Sequence, residues 1–198
     1  MGAEALEEVL KAMPAPRILH LATHGFFLDH ERAAADEEGS GASGARARLK
    51  KMDNPLLRSG IVLAGANAIG KADTSARVDD GWVTAEEIAL LNLRGTELVV
   101  LSACQTGLGD VRSGEGVFGL RRAFLYAGAK TLVTSLFEVP DRDTRDLMKH
   151  FYRNLQAGHG KLAALHGAQR EMLTQRRLAG GAAHPFFWAS FILVGDPD

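Results

Sequence analysis

ELVVLSACQTG, residues 97–107, decides the fold. Glu97–Ala103 is a short, mostly apolar run, and Cys104-Gln105-Thr106-Gly107 follows at once, so it reads as a buried strand ending in a tight turn. Working outward, the same grammar recurs at Arg17–Thr23 (RILHLAT), closed by His24-Gly25, at Lys130–Leu136 (KTLVTSL) and at Trp188–Val194 (WASFILV). Near-continuous apolar strands mark a parallel sheet covered on both faces. Helical patterns lie between them. Val117, Leu120, Phe124 and Ala127 recur at helical spacing, as do Leu147, Met148, Phe151 and Leu155, then Leu162, Leu165, Met172 and Leu173. Thr84 with Glu87 forms a capping box ahead of Ile88, Leu90 and Leu91, and residues 3–13 carry a helix that Pro14 and Pro16 stop. Strands alternating with helices predict an α/β fold, a doubly wound, mostly parallel sheet with helices on both faces.

Composition narrows the function classes. The chain has 198 residues, 46% hydrophobic and 24% charged, which suits one globular domain. Lys+Arg 23 against Asp+Glu 24 gives a net charge of −1, so no nucleic acid or membrane surface is implied as a direct partner. No stretch approaches the roughly 18 apolar residues of a membrane span, and the first ten residues lack a basic start followed by an apolar run. One cysteine cannot form an intramolecular disulfide or a Cys-rich zinc site. A cytoplasmic protein is expected. Glycine, 22 of 198 residues, exceeds its usual share of about 7%, so several turns are tight or approach something closely.

In doubly wound sheets ligands bind beyond the carboxyl ends of the strands, which directs attention to His24-Gly25 and Cys104. Both end predicted parallel strands, so both can project from one sheet edge. A free thiol has a pKa of about 8.5, and a neighbouring imidazolium lowers it by units. His24 can also return the proton to a leaving amine. Gly25, without a side chain, lets its amide approach an oxyanion together with the amide of Cys104. The bland alternative makes Cys104 a small core hydrophobe and His24 a satisfied turn residue.

ILHLATHGFF, NPLLRSGIVLAGAN, LVVLSACQTGLGDVRSGEGVFGLRRAFLYAGAKTLVTSLFEV and HPFFWASFILVGD resemble the CHAT domain, a caspase-like family often fused to TPR repeats. The resemblance runs from about residue 3 to 197. It implies a cysteine peptidase dyad with His24 as acid/base and Cys104 as nucleophile, a protein or peptide substrate, and a fused or associated repeat or sensor domain. No metal or organic cofactor is needed for that chemistry. The competing class is a non-catalytic interaction or scaffold module of the same fold. Separases, similar in this stretch, use an acidic residue to bind a basic side chain before the scissile bond, and the matching positions are Glu138 and Asp141. Asp141 is equally suited to cap the helix that starts near Arg142. A caspase-like sheet has six strands; four are counted here, so the chain is expected to be a portion of a longer protein lacking the strands before residue 3. Residues 29–52, with Arg46, Arg48, Lys50 and Lys51, read as a flexible insertion, either a solvated loop or a cleavable linker.

Other signals fail on chemistry. Gly65–Ala72 nearly spells a phosphate loop, but Ala72 stands where magnesium needs Ser or Thr. Arg112 replaces the third glycine of a dinucleotide fingerprint. His20 and His24 are four apart on a strand, not a helix, which argues against a metal pair and leaves His20 as a core or supporting residue.

Overall fold

The computed structural model describes residues 5–27, 56–66, 80–104, 115–137, 140–181 and 183–198. In chain order the elements are α1 (Glu7–Ala12), β1 (Ile18–Phe27), β2 (Ser59–Val62), β3 (Trp82–Thr84), α2 (Ala85–Ala89), β4 (Leu98–Cys104), α3 (Glu115–Tyr126), β5 (Thr131–Ser135), α4 (Asp141–Gln156), α5 (Lys161–Leu178), a 3-10 turn (Pro185–Phe187) and β6 (Phe191–Gly195). The strands form one sheet in the order β3-β2-β1-β4-β5-β6.

The sheet is mixed, which corrects the expectation of a mostly parallel one. Only β1, β4 and β5 run parallel, in register from Ile18↔Leu98 to His24↔Cys104 and from Val99↔Leu132 to Leu101↔Thr134. β2, β3 and β6 pair antiparallel. A strand's direction leaves no trace in its own apolar pattern, so this was invisible to periodicity. The count of four strands is corrected as well. β2 is Ser59–Val62, only four residues, and β3 has three, too few for a period of two to register. Both lie in the chain between His24 and Cys104, and the described sheet has six strands. The insertion 29–52 lies outside the described residues.

Helices cover both faces, as the alternation of strand and helix requires. β4 shows why its sequence is apolar throughout. Val99 and Leu101 belong to a core with Leu19, Ile88, Leu120, Phe124 and Leu132, beneath α1, α2 and α3. Leu98 and Val100 belong to the opposite core with Val133, Leu147, Phe151, Leu165 and Phe191, beneath α4 and α5. Each such burial contributes about 1.5–3 kcal/mol, so the double-sided packing of β4 anchors the sheet. The last expected strand begins late, at Phe191, because Trp188 closes the 3-10 turn and its indole Nε1 donates to the Ala183 carbonyl at 3.0 Å.

Polar contacts fix the shorter elements. The capping box on α2 is present: Thr84 Oγ1 accepts from the Glu87 amide at 3.3 Å and Glu87 Oε2 accepts from the Thr84 amide at 2.9 Å. Glu7, buried on α1, accepts from the Gly81 amide at 2.8 Å, and Lys11 bridges Glu7 and Glu87 at 2.5 and 3.0 Å. This ties α1 to the start of β3 and to α2. Gly60 is required by space: a Cβ there would lie 2.1 Å from the Val83 carbonyl oxygen and 2.7 Å from the Phe26 ring.

Candidate functional site

His24 occupies a particular place in β1. The strand pairs with β4 over residues 18–24 and with β2 over residues 24–27, and His24 is the residue at which the two ladders meet, opposite Cys104 on one side and Val62 on the other. Paired strands lie about 4.8 Å apart, so the His24 and Cys104 backbones are immediate neighbours. Cys104 is the last residue of β4, as expected. His24 is not the last residue of β1, which continues to Phe27 by leaving β4 for β2. It ends the parallel ladder rather than the strand. Thr23 Oγ1 donates to the Val62 carbonyl beside this switch of partner. Gly25 is buried within the strand, opposite Ile61.

Of Cys104 the backbone is described and the side chain is not. Glu138, Gly107, Gly109 and Gly114 lie outside the described residues. Asp141 is the first residue of α4, and the cap position is held by Pro140, which makes no side-chain cap bond. The capping alternative for Asp141 is therefore set aside; an acid in the first helical turn still complements the helix dipole.

His24 and Asp141 border one cleft of about 640 Å³ between the sheet and α4. Its sheet wall is the alternating row His20, Ala22 and His24 of β1 with Ser102 of β4. Alternate residues of a strand share a face, and these do. Its helix wall has two rows at four-residue spacing. Thr144, Met148 and Tyr152 form the inner row, of which Met148 is buried and the other two half-buried. Asp141, Arg145 and Lys149 form an exposed outer row. At the far end from His24 the two walls are joined by a hydrogen bond between Tyr152 Oη and His20 Nδ1 at 2.9 Å, with the rings 5.6 Å apart. Partial burial against α4 lowers the His20 pKa and pushes the Tyr152 phenol up to about 12, so both stay neutral at pH 7.

Sequence reasoning named the residues at the mouth of this cleft and missed its depth. Tyr152, Thr144 and Ser102 drew no attention, and Met148 was read only as a core residue. The available signal was the row 144, 148, 152 on a helix that follows the third parallel strand, and no motif distinguishes that row from ordinary packing.

Among the described residues no group of three His, Cys, Asp or Glu side chains is arranged to hold a metal ion, and no helix is long and apolar enough to cross a membrane. The CHAT domain family model matches residues 1–196. Tetratricopeptide repeat protein 28 of Mus musculus is 36% identical over 107 residues, 54% of this chain and 4% of that protein. Its Homo sapiens counterpart is 34% identical over 113 residues, 57% of this chain. The matched region is thus about 4% of the length of these relatives.

Proposed function

The chain belongs to the CHAT domain family, a caspase-like family, and on that premise we propose that it is a cysteine endopeptidase domain working through His24 and Cys104. One observation carries the reading: His24 and Cys104 are register partners at the last step of the parallel ladder between β1 and β4. The offset of 80 residues is constant along this ladder, and at its last step it sets an imidazole-bearing and a thiol-bearing residue on neighbouring backbones, which is what a proton-transfer pair needs. His24 is also exposed and borders a cleft, as a proton carrier that must reach a substrate requires.

In this reading the Cys104 thiolate attacks the carbonyl carbon of a peptide bond, and His24 takes the thiol proton. The oxyanion is held by the amides of Gly25 and Cys104. His24 returns the proton to the leaving amine, and water then hydrolyses the thioester, restoring the thiol. A donor in such a hole is worth about a hundredfold or more in rate. The relatives are tetratricopeptide repeat proteins, which supports a fused or associated repeat domain as a partner.

The test is the rate at which iodoacetamide labels Cys104 in the intact chain as a function of pH. An activated thiolate reacts well below pH 8.5, the ordinary thiol value. His24→Ala should move the midpoint up toward that value and slow labelling at pH 7 by about tenfold or more, since each unit of thiol pKa is worth about a tenfold change in thiolate below the midpoint. Identical profiles in both proteins would reject the dyad and favour the scaffold role.

A further inference from the structure

We propose that the cleft between β1 and α4 is the specificity groove of this site and takes the apolar side chains, such as Met, Leu or Phe, of an extended substrate segment running from His24 toward the Tyr152–His20 pair. The inference rests on the peptidase reading for the direction of approach, because the substrate's scissile bond must lie at His24, where the groove begins.

The two walls match in length. From His24 to His20 the strand spans about 13 Å at 3.3 Å per residue. From Thr144 to Tyr152 the helix spans about 12 Å at 1.5 Å per residue. The Tyr152–His20 hydrogen bond joins their far ends, so the groove runs from His24 to that pair, the length of about four residues of extended chain. Chemistry then selects the occupant. The inner surface is made by Ala22, Ser102, Thr144, Met148 and the Tyr152 ring, none of which carries a charge, and Met148 adapts to varied apolar shapes. The charged side chains stand on the rim and are occupied there. Arg145 and Lys149 both approach Asp146, at 3.5 and 3.8 Å. Asp141 belongs to the same exposed outer row, at the helix start. A basic side chain reaching down the groove would leave its charge beside an uncharged floor, at a desolvation cost that an apolar side chain avoids.

The experiment uses the 198-residue chain carrying Cys104→Ala, so that binding is read without turnover. Blocked tetrapeptides identical except for Met, Phe, Arg or Asp before the scissile position are titrated while the imidazole nitrogens of His20 and His24 are followed by NMR. The Met and Phe peptides should shift both histidines and bind at least tenfold more tightly than the Arg and Asp peptides. Ala22→Phe, which fills the groove from an exposed strand position, should abolish that preference, and Tyr152→Ala, which removes an apolar ring from the lining, should weaken it. Tighter binding of the Arg peptide, lost in Asp141→Asn, would overturn the proposal in favour of an acidic pocket. Absence of any His20 shift up to millimolar peptide would overturn it outright. The peptidase reading fails separately, through thiol labelling that ignores His24, because the groove is tested with the thiol removed.

Discussion

His20 and His24 sit four residues apart on one strand, yet their surroundings give them different chemistry. Both are exposed, but His20 also meets Tyr152, and desolvation there disfavours its charged form. A histidine whose folded pKa lies below its unfolded value makes the unfolded chain bind more protons as pH falls. Stability should therefore drop as pH decreases through about 6.5, and His20→Gln should flatten that slope. Tyr152 acts at the other extreme. Its phenol is pushed from 10.0 to about 12 by burial, so the folded state keeps a proton that the unfolded state loses, and stability should decline between those values as pH rises. Urea melts of the wild type and Tyr152→Phe across pH 9–12 would show it: the variant should lack the alkaline decline, and parallel curves would contradict the assigned burial. These two residues also mark what a sequence can disclose. His24 and Cys104 were legible because unusual residue types closed strand-like runs. Tyr152 was not, since its partner lies 132 positions away and a helical tyrosine looks like any other.

Among the elements, those whose signal is local were readable. The capping box at Thr84 and Glu87 is written in four consecutive residues, and α2 follows it as expected. Thr84→Ala should remove the Oγ1 acceptor and destabilise the domain by about 1 kcal/mol, the usual worth of a cap. Gly60→Ala should cost more, about 1–3 kcal/mol, because its Cβ would collide with the Phe26 ring and with the Val83 carbonyl, which cannot recede without disturbing the β2–β3 ladder. Chemical denaturation with both variants checks the order; a Gly60→Ala protein as stable as the wild type would mean that β2 does not hold this register. What could not be read is set by partners far away in sequence. The pairing of β1 with β4 below His24 and with β2 above it depends on residues 59–62 and 98–104 at once. No window on β1 alone contains that information. The antiparallel course of β6 is likewise decided by its fit against β5.

At the scale of the whole molecule, the change of partner at His24 has a consequence for the sheet. β4 is paired on both sides, by β1 and by β5, and Val99 and Val100 are fully buried. β1 is paired with β4 through residues 18–24, but among the described residues β2 covers its other side only from His24 onward. Along a parallel strand alternate residues direct their backbone N–H and C=O groups away from the bonded neighbour, so between Ile18 and Ala22 part of the backbone has no strand to bond among the described residues. Such an edge is an invitation to pairing by another strand. Hydrogen exchange measures this residue by residue. The amides of Val99, Val100 and Leu101 should exchange only through global unfolding, whereas between Ile18 and Ala22 protected and unprotected amides should alternate along the strand. The exchange should be run beside sedimentation at the same concentration. Uniform protection of residues 18–22 in a sedimenting monomer would mean that this edge is already covered within one chain and would overturn the prediction. Protection that rises with concentration, together with dimer, would instead identify the exposed half of β1 as the surface through which two copies pair.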